Sequence, residues 1–198
     1  MINADFNPLI ILSDDKKKIL SVIDKSFIEV VIPNSITSIE ALAFSECCLE
    51  SIYIPNSVSY IEEGAFFKCS FLNSIYIANG LSRIGEGAFH CCTSLKHINI
   101  PNSVAYIEMG AFWNCSSLES VTIPNNIIYI GDMAFKGCNS LRNIYIPCKD
   151  IDKIKVHKAF DDINFNECVL HIPYGTRPLY RSHPVFRQFK NIVSEIFE

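Results

Sequence analysis

Apolar positions in this chain follow no single helical or strand period from end to end; from Ile32 onward they return every 23 residues. Four consecutive units share that length: Ile54 to Tyr76, Ile77 to Asn99, Ile100 to Thr122 and Ile123 to Tyr145. Ile32 to Tyr53 is a unit one residue shorter, the loss falling near Cys47–Cys48. A sixth, from Ile146, is stretched so that Ala159–Phe160 lies 25 residues after Ala134–Phe135. The repeats therefore occupy residues 32–165, between an N-terminal cap (1–31) and a C-terminal cap (166–198), in one domain. A unit this short cannot bury its own apolar face, so the units must stack, each completing its neighbour's core.

Within a unit the fixed positions predict local structure. Leu72, Ile75 and Ile77 recur as Leu95/Ile98/Ile100, Leu118/Val121/Ile123 and Leu141/Ile144/Ile146, giving L-x-x-I-x-I. Its alternating end predicts a short strand with Ile75 and Ile77 inward and Tyr76 outward. Proline at 55, 101, 124 and 147, with asparagine at 56, 102 and 125, predicts a turn closing that strand. A second apolar run, Val58-x-x-Ile61 and its equivalents, turns inward again, followed by Ala-Phe at 65–66, 88–89, 111–112 and 134–135 and by cysteine at 69, 92, 115 and 138. Stacked at the strand spacing of about 4.8 Å, Phe44, Phe66, Phe89, Phe112 and Phe135 should form one aromatic spine.

An open stack needs capped ends. Leu9 to Leu12 and Ile19 to Ile23 flank Ser13-Asp14-Asp15-Lys16-Lys17, which predicts a hairpin as the first cap; a repeat truncated at the start of the chain is the alternative. Phe27-x-x-Val30-x-Ile32-Pro33 already follows the strand pattern and should start the stack. Beyond residue 166 the repeat is lost. Arg177, Arg181, Arg187 and Lys190 should form a solvated basic face, and Pro178 and Pro184 sit where helices would begin.

The repeat L-x-x-I-x-I-P-x-x-V-x-x-I-x-x-x-A-F-x-x-C resembles the leucine-rich repeats of the BspA-like (Treponema-type) family over about two thirds of the chain. The stretch from Cys168 to Glu198 is similar to the end-module of such proteins from gut Bacteroidetes. The resemblance implies a final strand at Leu170 to Pro173, a short helix bearing Leu179–Tyr180, and a closing segment with Phe186, Phe189, Asn191 and Ile192. It also implies a mainly β, curved right-handed leucine-rich-repeat solenoid with a partly helical C-terminal cap, used for protein binding or adhesion at a bacterial surface or as a secreted protein. The start of the chain is a poor secretion signal, with Asp5 before a short apolar run and charge again at Asp14. That favours the alternative, a cytoplasmic interaction scaffold.

Composition changes this picture little. With 49% hydrophobic residues, 21 acidic against 17 basic side chains and a net charge of −4, the chain has core enough to fold and no general attraction for nucleic acid or anionic lipid. No apolar run reaches the roughly 20 residues that span a bilayer. Nine cysteines is an odd number. Those at the repeat interval should point the same way and stay unpaired, acting as small hydrophobes, while a Cys148–Cys168 bridge is left open. His90-Cys91-Cys92 lacks the C-x-x-C spacing of a zinc site. No G-x-S-x-G, P-loop, H-E-x-x-H or dinucleotide fingerprint is present. The expectation is a non-enzymatic chain without cofactor, metal or small-molecule substrate, whose partner is a protein.

Surface ladders are the remaining candidates. The outward strand positions, Tyr53, Tyr76, His97, Asn99, Thr122, Asn143 and Tyr145, with Ser51, Ser74 and Ser120, form a strip of tyrosines and small polar groups suited to protein contact. A second row (Ser38, Tyr60, Arg83, Tyr106, Tyr129) and a third (Ser45, Phe67, His90, Trp113, Lys136) should also face outward. For these two rows, rings stacking on one another for stability alone is the favoured reading.

Overall fold

The computed structural model describes residues 2–3 and 10–197. The chain is a β-solenoid with a three-sided turn, and its buried apolar residues form one continuous core from Ile10 to Ile192. The L-x-x-I-x-I segments form the first side as parallel strands in direct register. Ser51–Ile54 pairs with Ser74–Ile77, placing Tyr53 beside Tyr76. His97–Asn99, Ser120–Thr122 and Asn143–Tyr145 continue this way through Val169–Pro173 to Asn191–Glu195. The second side is an eight-stranded sheet of mostly two-residue strands, among them Tyr60–Ile61, Arg83–Ile84, Tyr106–Ile107 and Tyr129–Ile130.

The third side carries the Ala-Phe pair and is held by a different ladder. Every second amide donates to a carbonyl of the next repeat: Gly64 to Glu86, Phe66 to Ala88 and Lys68 to His90, each at 2.8 Å. The same bonds recur at Gly87, Phe89 and Cys91 and again at Gly110, Phe112 and Asn114. The price is a left-handed residue at each end of the triplet, and the sequence does not reserve it for glycine. Leu42, Met133, Lys68, Cys91 and Asn114 all sit at φ between +56° and +62°, a conformation uncommon for side chains other than glycine. The inter-repeat bonds hold them there.

The phenylalanine spine forms as expected and extends one ring further. Phe44, Phe66, Phe89, Phe112, Phe135 and Phe160 stack with centroids 5.1–5.4 Å apart and planes within 7°. The repeat cysteines do more than fill space. Each thiol donates to the phenylalanine carbonyl of the preceding repeat: Cys69 to Phe44, Cys92 to Phe66, Cys115 to Phe89 and Cys138 to Phe112, at 2.9–3.3 Å. All nine cysteines are free thiols, Cys148 and Cys168 included; Cys148 donates to the Asp150 carbonyl and Cys168 is buried.

Both ends are capped. Ile10–Leu12 pairs antiparallel with Lys18–Val22, the expected hairpin, which joins the second side next to Ser38–Ile39; Leu9 lies outside the described residues. A strand that periodicity does not show, Ile2–Asn3, covers the first side beside Val30–Val31. At the other end the helix Arg177–Ser182, with Pro178 in its first turn, lays Tyr180 into the core, where its hydroxyl donates to the carbonyls of Cys148 (2.8 Å) and Ile146 (3.2 Å). Arg181 is more than solvated charge: its guanidinium donates to the Phe189 and Lys190 carbonyls.

Candidate functional site

On the first side each strand presents alternate residues outward, because the intervening Ile or Val is committed to the core. The strip is not uniform. Between Ser74–Ile77 and His97–Asn99 the paired ladder is broken, leaving a four-stranded and a five-stranded sheet. The break follows the one repeat from Ile32 to Ile146 that lacks the proline, reading Ala78-Asn79-Gly80. There Ala78 N–H donates to Ile54 O and the chain passes so close to the previous repeat that a Cβ on Gly80 would lie 1.7 Å from Asn56 O. Only glycine fits.

On one side of the break Tyr53 and Tyr76 are exposed and stacked, centroids 5.0 Å apart and planes within 2°. Neither hydroxyl has a hydrogen-bond partner among the described residues. On the other side, His97 and Asn99 are exposed, and His97 Nδ1 lies 2.8 Å from Ser120 Oγ. Thr122, Asn143 and Tyr145 are half-buried.

The last two are held by a residue the repeat pattern does not reach. His171, on the cap strand Val169–Pro173, stacks on Tyr145 at 4.2 Å, places Nε2 3.0 Å from Asn143 Oδ1 and Nδ1 2.5 Å from Glu195 Oε1. Its register opposite Tyr145 is the signal that could have found it. The candidate surface therefore divides into a free tyrosine pair and an ordered polar cluster. A flanking column of exposed charges, Glu50, Lys96, Glu119 and Arg142, alternates in sign and gives the strip no net field.

In the second row Tyr60 and Tyr106 are exposed, while Arg83 binds Glu62 at 2.9 Å with its guanidinium 6.0 Å from the Tyr60 ring. Ser38 is not outward. The cap strand Lys18–Val22 and the Glu40 carboxylate, to which it donates at 2.6 Å, bury it. Among the described residues, no cluster of three or more His, Cys, Asp or Glu side chains could hold a metal ion, and no helix is long and apolar enough to cross a membrane. Burial pushes the repeat thiols upward, Cys69 and Cys138 to about 12, so they are neutral, unreactive groups at physiological pH.

The geometry has relatives. Among solved structures the chain is similar to a leucine-rich repeat protein of T. pallidum, at 32% identity over 70% of this chain and 68% of that one, with a TM-score of 0.63. It is similar to a leucine rich cell surface protein of Faecalibacterium prausnitzii (33% identity, 67% of this chain, 36% of that one, TM-score 0.59). A leucine-rich repeat protein of Bacteroides ovatus shares the fold at 24% identity over 83% of this chain and 43% of that one, TM-score 0.64. The chain thus spans less than half the length of the latter two. No curated protein matches it. The BspA type leucine-rich repeat region matches residues 23–141 in six copies, and the chain belongs to that family.

Proposed function

We propose that this chain is a non-enzymatic protein-binding module that acts in adhesion at a bacterial cell surface through the outward face of its first side. The observation that carries this reading is the stacked Tyr53–Tyr76 pair, exposed and with no hydroxyl partner among the described residues. Two rings already locked in parallel offer large contact area and two polar tips with little rotamer freedom left to lose on binding. His97, Asn99 and the Asn143–Tyr145–His171 cluster extend the same face with groups that hydrogen-bond either way. That the similar F. prausnitzii protein is a leucine rich cell surface protein supports the location.

The test is an array of host extracellular proteins probed with the wild-type chain and with Tyr76→Ala/Tyr145→Ala. Bound partners should lose at least tenfold in affinity with the double variant while its Tm stays within a few degrees. Unaltered affinity removes this face from the reading. A second reading, an intracellular scaffold, is favoured by nine unpaired thiols, since disulfides accumulate in oxidising compartments. Protease treatment of intact source cells separates the two: the surface reading requires that the protein be digested.

A further inference from the structure

The third row does not merely stack. Phe67, His90 and Trp113 stand in a file on the third side, with His90 parallel to Trp113 at 4.7 Å and edge-on to Phe67 at 5.2 Å. Three positions earlier in each repeat lies the left-handed residue: Leu42, then Gly64, Gly87 and Gly110, then Met133. Three consecutive repeats therefore lack a side chain where the repeats before and after them carry a large apolar one. The result is a cavity of about 270 Å³, floored by Gly87 and Gly110, walled by the ring file and Met109, and closed at its ends by Leu42, whose side chain lies over Gly64, and by Met133.

The rim is acidic. Glu63 and Glu86 line it and Glu108 stands beside it, and none has an ion-pair partner among the described residues. The neighbouring charges are engaged: Glu62 with Arg83, Lys68 with Glu46, Lys136 with Asp162. The two lysines also lie over the outer rings of the file, Lys68 over Phe67 and Lys136 over Trp113. The lining is mainly apolar, the ring file with Leu42, Met109 and Met133, and suits an apolar side chain. Burial and the adjacent Lys68 hold His90 below its usual pKa, which favours an uncharged ring wall.

We propose that this trough is a second binding site, taking a peptide segment of a protein partner that inserts a large apolar side chain and sets an arginine or lysine against Glu63 and Glu86. Size fits the insertion, since the cavity has room for one or two side chains but not for a helix. Charge complementarity selects the flanking base. The rings are fixed before binding by their stacking, as buried anchoring pockets require.

The probe is a displayed library of random 12-residue peptides selected on the intact chain. Enriched peptides should pair Leu, Met, Ile or Phe with a basic residue within two positions. Gly87→Met, which installs the residue the fifth repeat already uses at this conformation, should fill the floor and weaken those peptides at least tenfold. A Cβ at Gly87 meets only His90 Cβ, at 3.7 Å, and an unchanged circular dichroism spectrum confirms the fold. Glu63→Gln/Glu86→Gln, on exposed carboxylates, should weaken binding about fivefold and remove most of its salt dependence. Tyr76→Ala/Tyr145→Ala should leave these peptides unaffected, which separates this site from the strand face. The proposal is overturned by no enrichment, by enriched peptides without a base, by binding that survives Gly87→Met, or by a concentration-dependent dimer that Gly87→Met abolishes, which would make a second copy the occupant.

Discussion

Phe112→Ala removes one of the two central rings of the spine. Phe112 is fully buried and stacked on both faces, 5.3 Å from Phe89 and 5.2 Å from Phe135. Burying such a ring contributes about 1.5–3 kcal/mol, and each ring–ring contact adds ~0.5–1.5 kcal/mol beyond area. A spine packed above and below at fixed spacing cannot collapse around the gap, so the loss should reach about 4 kcal/mol. For a chain of this length that corresponds to a Tm drop of roughly 8–16 °C. The assay is urea unfolding followed by far-ultraviolet circular dichroism and by fluorescence of the single tryptophan, Trp113, the next residue. Because each repeat touches only its neighbours, the two signals should separate in the variant, as the halves of the stack uncouple. Phe71, 56% exposed, is the control; Phe71→Ala should change stability by less than ~0.5 kcal/mol. Equal effects at the two positions, or a loss below ~1 kcal/mol at Phe112, would refute the stacking argument.

Other outcomes follow from the same packing. Tyr180→Phe leaves the Cys148 and Ile146 carbonyls without their donor in a buried site and should cost about 1–2 kcal/mol, with amide exchange accelerated first in the C-terminal cap. The repeat thiols are held protonated in the fold, their pKa raised to about 12 at Cys69 and Cys138 by burial, against an unfolded value near 9.0. Their stabilising effect is complete below the unfolded pKa and is lost as pH rises from there toward the folded one. Between pH 8 and pH 10, urea unfolding should therefore show a loss of about 1.4 kcal/mol per such thiol, and a flat profile would contradict the burial. At pH 8, Ellman's reagent should titrate exposed Cys48 and half-buried Cys91 quickly and the buried remainder only on unfolding.

Much of the first side could be read from residues, because L-x-x-I-x-I fixes which side chains face inward and the 23-residue interval fixes which lie above one another. The third side could not. Its left-handed positions are filled by residues such as Leu42, Met133, Lys68, Cys91 and Asn114 more often than by glycine, so composition does not mark them; inter-repeat hydrogen bonds do, and these exist only after stacking. The strand Ile2–Asn3 is too short to show a period, and Ser38 reads as outward until the cap strand covers it. Of the candidate surface, the seven strand positions follow from alternation, but their division does not. That depends on Gly80 drawing one turn against its neighbour and on His171, outside the repeat, folding over Asn143 and Tyr145. The trough is hardest of all to see in a sequence, since it consists of side chains that three successive repeats omit.

The most direct measurement of the account is a nuclear Overhauser experiment on protein labelled only at phenylalanine rings. Ring contacts should connect Phe44, Phe66, Phe89, Phe112, Phe135 and Phe160 as one file, in which the first five touch only their repeat neighbours and Phe160 also meets Phe186 and Phe189 of the C-terminal cap. A contact that skips a repeat, or a missing link between Phe89 and Phe112, would contradict it.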